Sequence, residues 1–360
     1  LAYSLANRPE TAMKLIKDGT LIKWVTRGLE DQDLADSIED LVTQAKANPE
    51  KQESDHVLLA RILIYLDPLA PIRFKGVAFM PDAIGTAMMI ERLRGGKLMP
   101  FAEAINVEIA KAWFDSHSDI STVAEMKTMG YYRMRSHLRD KNPGYGIERC
   151  LYEMNDGFPC QSLLFQGECI INLEDMLPAL NKIAKTVDPK TIPVDRHIAA
   201  FVSAKVKNAS YPILRDIADP NEALKALGHL KLLNLLQVDY KPYPFPALTK
   251  WISSQLGPVI NLYQNRTLRK ELEEEMPGRV QTGMLSDLLD LLDDPEARIQ
   301  DETGYTRAVR EFQSSQDEIT EIMTGIAPES DKSDRAAQQA SAIVSILIMT
   351  LVVTLMLVTN

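Results

Sequence analysis

The sequence predicts an all-α protein, an irregular multi-helix array or bundle with a Gly-rich central insert, a flexible acidic stalk and one C-terminal transmembrane helix. Three observations predict it. Apolar residues recur at helical spacing through most of the 360 residues, the pattern of a helix with one buried face. Proline next to an acid marks the start of several of these stretches, where a missing N–H costs nothing and a negative charge suits the helix dipole. From Ala336 to Asn360 there is no charged side chain, and Ala342 to Val358 is almost wholly apolar.

The elements follow in order. Pro9-Glu10 opens a segment with Ala12, Met13, Leu15 and Ile16 on one side, and Gly19 closes it. Asp31 to Ala47 carries Leu34, Ile38, Leu41 and Val42, and Asp55 to Leu66 carries Val57, Leu58, Ile62 and Leu63; both read as amphipathic helices. Gly76 to Met80 and Cys169 to Leu173 are each short enough for a strand, giving one small hairpin at most, and each also fits a buried turn. Pro81-Asp82 precedes Ile84, Met88 and Leu93, and a single stripe runs from Phe101 to Phe114 through Ile105, Ile109 and Trp113.

The stretch from Met126 to Ile170 differs from its flanks, with Gly130, Gly144, Gly146, Gly157 and Gly167 and all three cysteines. Glycines this dense mark turns and close backbone approaches. Beyond it, Asp219-Pro220 leads into Ala223, Leu224 and Leu227. The alternating prolines and aromatics of Tyr240 to Pro246 form an extended strap that no helix can continue. A helix from Ala247 to Leu256 brings Trp251 to the core, Gly257-Pro258 breaks the chain, and Asp294-Pro295-Glu296 opens one more short segment. Polarity then rises, and Pro328 to Arg335 reads as a spacer.

These readings divide the chain into an N-terminal helical domain (1–125), the central insert (126–175), a C-terminal helical domain (176–300), the acidic stalk (301–339) and the span (340–359). A span of that length covers a hydrocarbon layer of about 30 Å. Ser345, Thr350 and Thr354 are tolerated there, because their hydroxyls can bond a carbonyl one turn back. Lys332 and Arg335 precede the span and only Asn360 follows it, which places the body in the cytoplasm. Three cysteines at irregular spacing, Cys150, Cys160 and Cys169, fit reduced thiols better than a disulfide framework or a zinc site.

A net charge of −10 argues against a general attraction to nucleic acid. No phosphate-binding glycine loop, nucleophile elbow or His-Glu-x-x-His pair is present in the sequence, and no cofactor or metal is expected. His117 with Asp115 and Asp119 is the nearest approach to a metal cluster, and a solvated helix end accounts for it. Asp195-Arg196-His197 reads as a helix start after Pro193.

One stretch stands out for binding. Tyr131, Tyr132, Arg133, Arg135 and Arg139 make a basic and aromatic patch in an acidic chain. Arginine forks hold carboxylates and phosphates bidentately, so an acidic or phosphorylated protein partner fits the patch. The competing use of these charges is pairing with the acidic stalk, or with Glu148 and Glu153. The expected function is a membrane-anchored helical scaffold, adaptor or regulatory module that binds other proteins at the cytosolic face. The alternative is the C-terminal accessory region of a larger membrane-bound signalling enzyme, such as a bacterial serine/threonine kinase, with its catalytic domain upstream of Leu1.

Overall fold

The computed structural model describes residues 1–47, 54–117, 121–206, 211–324 and 339–350, with backbone alone at 121–129 and 211. Among the described residues the architecture is helical with one two-stranded hairpin. The first helices are α1 (Ala2–Ala6), α2 (Pro9–Lys17), α3 (Thr20–Trp24), α4 (Gln32–Ala47) and α5 (Asp55–Leu66). Strands β1 (Ile72–Phe74) and β2 (Val77–Phe79) come next, followed by α6 (Ile84–Leu93), α7 (Met99–Asn106) and α8 (Ile109–Asp115). The middle holds α9 (Ser121–Arg139), α10 (Ile147–Glu153), α11 (Leu173–Ile183), α12 (Arg196–Lys205), α13 (Tyr211–Ala218) and α14 (Glu222–Tyr240). The chain continues with α15 (Pro246–Ser253), α16 (Gly257–Ile260), α17 (Arg266–Thr282), α18 (Leu285–Leu292) and α19 (Pro295–Thr324).

Contacts group the chain into two units: Leu1–Val259 with Met276–Asp290, and Ile260–Glu275 with Leu291–Asn360. In the first unit, the stripes of α2, α4 and α5 meet as predicted, and Ala12, Ile16, Ile38 and Ile62 are fully buried in one cluster. The hairpin is antiparallel, with Phe74 opposite Val77. Its two-residue turn needs positive φ at both positions, and Lys75 and Gly76 supply 47° and 85°. Ile72, Phe74 and Phe79 turn into the core.

Further along the same unit, α13 packs on α14 where Gly228 removes the obstacle of a side chain: a Cβ there would lie 2.7 Å from the Ile217 nitrogen. The proline strap after α14 is tied down by Gln237, which is completely buried. Its Nε2 donates to the Tyr243 carbonyl at 2.7 Å and the Gly283 carbonyl at 3.1 Å, and its Oε1 accepts from the Leu285 N–H at 2.7 Å. Trp251 is buried as expected, its indole N–H donating to the Thr191 carbonyl at 3.2 Å.

Several expectations need correction. The Phe101–Phe114 stripe is two helices, not one, because Glu108 adopts φ 55° between α7 and α8. Cys169–Leu173 forms no strand; a lone bond from the Cys160 N–H to the Ile170 carbonyl marks the place, and Leu173 begins α11. The Gly-rich block contains α10 and the end of α9, and its Cys150, Leu151 and Tyr152 are among the most deeply buried residues. Its glycines serve close packing as well as turns: Gly144, at φ 83°, lies against Leu214 and Ser203.

The stalk is not flexible over its first part. Residues 301–324 belong to α19, a 30-residue helix about 45 Å long at 1.5 Å per residue. Its Glu, Gln, Arg and Ala content favours helix even where little packs on it. In the second unit the start of α19 is fixed by Asp301, whose carboxylate accepts from the Gln264 and Asn265 N–H groups at 2.6 and 2.8 Å. The spacer from Pro328 to Arg335 lies outside the described residues.

Residues 339–350 are helical, with the Ser345 and Thr350 hydroxyls bonded one turn back to the Ser341 and Ile346 carbonyls, each at 2.6 Å. Among the described residues no helix is long and apolar enough to cross a membrane. Residues 351–359 of the predicted span lie outside them.

Candidate functional site

The predicted patch sits on the C-terminal half of α9. Tyr131, Met134 and His137 recur at a spacing of three and so share one helix face; Met134 and His137 are buried. Tyr131 is turned inward, its hydroxyl donating to the Pro81 carbonyl at 2.7 Å. Burial and the nearby Asp82 carboxylate raise the phenol above its ordinary range. Tyr132 is half exposed.

The arginines are for the most part occupied. Arg135 is ion-paired with Glu108. Arg133 Nε lies 3.2 Å from Glu153 Oε2. Glu153 is the centre of this arrangement: its Oε1 accepts from Arg149 Nε at 2.8 Å and faces His137 Nε2 at 3.2 Å. Arg149 is only 2% exposed. Burial pushes the Glu153 pKa up, but the hydrogen bonds and charges of His137 and Arg149 outweigh it and bring the group down to about 2. Of the five predicted residues, Tyr132, Arg133 and Arg139 face solvent, Arg133 while paired with Glu153, and Arg139 makes no side-chain bond to a described residue. Tyr131, Tyr132 and Arg135 do share a cleft with Ile105, Lys111 and Phe114, but it is only about 20 Å³.

A second polar cluster lies where α10 meets α12. Asp195 caps α12, accepting from the Ile198 N–H at 2.8 Å and the Ser162 hydroxyl at 2.7 Å, as expected of a helix start. His197 lies between Arg92 Nη2 at 3.3 Å and the Tyr152 hydroxyl at 2.9 Å. A guanidinium can only donate. His197 Nε2 is therefore the acceptor, and Nδ1 carries the proton toward Tyr152. Burial, helped by Arg92, lowers the His197 pKa and keeps the ring neutral. The Tyr152 oxygen also accepts the Gln161 N–H at 2.8 Å. Burial pushes the Cys150 and Cys160 thiols up to about 12, so neither is a nucleophile at neutral pH. This network ties α12 to α10 through Tyr152 and to α6 through Arg92.

His117 stacks on Trp113, with ring centroids 3.9 Å apart, and its Nδ1 lies 2.8 Å from the Trp113 carbonyl oxygen. No cluster suited to a metal ion occurs among the described residues.

The larger opening is elsewhere. Between α1, α2, α5 and the hairpin lies a groove of about 640 Å³, within the usual range for ligand clefts. Leu59, Leu63 and Phe74 form its floor, and His56, Arg73, Lys75 and Asn7 supply its polar groups. No carboxylate lines it. Arg73 stacks over the Tyr3 ring at 5.1 Å, and Lys75 is held by Glu103 and lies over the Phe74 ring at 5.7 Å. The sequence hides this site because Arg73 and Lys75 lie far along the chain from Asn7, His56 and Leu59, and they meet only when α5 carries the hairpin back to α1.

Compared with family models, curated proteins and solved structures, the chain matches none.

Proposed function

We propose that this chain is a membrane-tethered helical binding module whose body docks an acidic segment of another protein at the cytosolic face. The observation that carries the tether is the helix at 339–350. Val344, Ile346, Leu347, Ile348 and Met349 are each at least half exposed, on all sides of that helix. Apolar surface of this kind costs about 25 cal/mol per Å² in water. A helix apolar all round is stable in lipid, and in the sequence the apolar run continues from Leu351 to Val358.

The docking reading rests on charge. The hairpin groove is a cationic, carboxylate-free cleft in a chain of net charge −10, so an acidic segment with apolar residues to meet Leu59 and Leu63 complements it. In the α9 patch Arg133 and Arg135 are paired with Glu153 and Glu108, whereas in the groove Lys75 is paired with Glu103 and Arg73 makes no ion pair with a described residue, so Arg73 carries the groove's charge.

One experiment tests both parts. The full chain is fractionated with and without residues Ser341 to Asn360, and the truncated chain is expected to move from the membrane pellet to the supernatant. The soluble form is then titrated with a labelled peptide of alternating Glu and Leu. Arg73→Glu with Lys75→Glu is expected to weaken binding at least tenfold, and Arg133→Glu with Arg139→Glu to leave it within about twofold. Retention of the truncated chain in the pellet refutes the tether. Equal loss from both pairs of substitutions refutes the groove.

A further inference from the structure

The long helix α19 carries a feature that neither the tether nor the groove uses. Tyr305, Ala308, Phe312, Ser315, Ile319 and Ile322 recur at alternating steps of three and four residues, an average of 3.5. That period differs from the 3.6 residues of a straight helix, and a stripe that keeps it stays on one side only if the helix winds around another. Ile326 continues the spacing in the sequence, outside the described residues. Tyr305 and Phe312 are 52% and 58% exposed, and Met323 beside the stripe is 82% exposed. A free helix in water is marginal without a packed face, so an aromatic and aliphatic seam that runs from Tyr305 to Ile322 along a 30-residue helix, exposed at Tyr305 and Phe312 and half-buried at Ile319 and Ile322, calls for a partner.

We infer that α19 pairs with α19 of a second copy of this chain as a parallel two-stranded coiled coil. Charge decides both the occupant and the direction. With Tyr305, Phe312 and Ile319 at the first position of each seven-residue repeat, Glu311 and Glu318 take the last position and Gln316 the fifth. In a parallel pair Glu311 of one copy faces Gln316 of the other, and no like charges meet along the seam. In an antiparallel pair the last positions face one another, which sets Glu311 and Glu318 of one copy against those of the other, and like charges in such pairs repel. The layers also suit self-pairing, because the small Ala308 and Ser315 alternate with the large Tyr305, Phe312 and Ile319. Tyr305 and Ala308 also form the rim of a groove against Gln264, Asn265 and Leu268 in the same unit, so the free seam runs from there toward the C-terminus. The pairing stands independently of the membrane reading, although a parallel pair delivers both C-termini to one side.

The test is disulfide cross-linking of the full chain in a mild detergent, in a Cys169→Ser background that removes the exposed native thiol. Single substitutions Phe312→Cys, Ile319→Cys and Ile322→Cys are compared with Arg310→Cys, Asp317→Cys and Glu321→Cys on the opposite side. The first three are expected to form dimers at least tenfold faster. Sedimentation is expected to give the mass of two chains, falling to one for Phe312→Glu with Ile319→Glu while helical content holds. Equal rates at all six positions overturn the seam, and so does a wild-type mass of one chain. Fast cross-linking at a single position indicates an antiparallel pair and overturns the parallel arrangement. The fractionation experiment reads the tether separately, so either idea can fail without the other.

Discussion

Replacing Glu153 by Gln tests the account of the α9–α10 junction. The native carboxylate is held at about 2, from an ordinary 4.5, which corresponds to about 3 kcal/mol of stability at neutral pH. Its side chain is 11% exposed and those of its partners His137 and Arg149 are 7% and 3% exposed, so solvent screening reduces this figure little. Glu153→Gln keeps the shape and one acceptor oxygen but removes the negative charge that Arg149 and His137 face, and loss of one partner of a buried ion pair costs about 3–5 kcal/mol. The sign follows from the direction of the shift. A lowered carboxylate stabilises fully above about 4.5 and loses that contribution as pH falls toward 2. The difference between wild type and Glu153→Gln is therefore expected to be about 3 kcal/mol at pH 7 and to close progressively below pH 4.5. Urea unfolding followed by tryptophan fluorescence at a series of pH values measures it, and the thermal midpoint at pH 7 is expected to fall by roughly 5–10 °C. A difference below about 1 kcal/mol at pH 7, or one that stays constant down to pH 3, refutes the reasoning.

Two further outcomes are expected from burial and close packing. His229 is buried, and burial, reinforced by Lys225, lowers its pKa to about 4; the native state then keeps it neutral while the unfolded chain protonates it near 6.5. Its contribution is intact above about pH 6.5 and is lost as pH falls toward 4, so His229→Met is expected to flatten the stability profile over that window, read by urea midpoints at pH 7, 5.5 and 4.5. Gly228→Ala places a Cβ 2.7 Å from the Ile217 nitrogen and 2.9 Å from the Asp216 carbonyl carbon, so α13 must move off α14, at a cost of about 1–3 kcal/mol. A thermal midpoint unchanged by Gly228→Ala contradicts that packing.

The helices were legible because their signal is local. Asp55 to Leu66 became α5 residue for residue, and Pro9 and Asp195 mark helix starts. The break at Glu108 was not legible, since a positive φ in a non-glycine residue leaves no trace in an apolar stripe. The length of α19 was missed for the opposite reason. High polarity reads as loop, whereas residues such as Glu, Gln, Arg and Ala sustain a helix with little burial.

The candidate patch shows the same division. Tyr131, Arg133, Arg135 and Arg139 are a basic cluster along the chain, and Glu153 was already visible as a competing partner. Only the folded chain could show that Arg135 meets Glu108 across 27 residues, and that Arg149 and His137 converge on Glu153. The sequence by itself determined the helical period, the acidic balance and the apolar character of the terminus, because each is a sum or a repeat over neighbouring residues. The tertiary structure decided which charges are spent and which are free, and where a cationic groove opens, because Coulomb energy depends on distance in space and a charge's position in the chain does not say what it will stand beside.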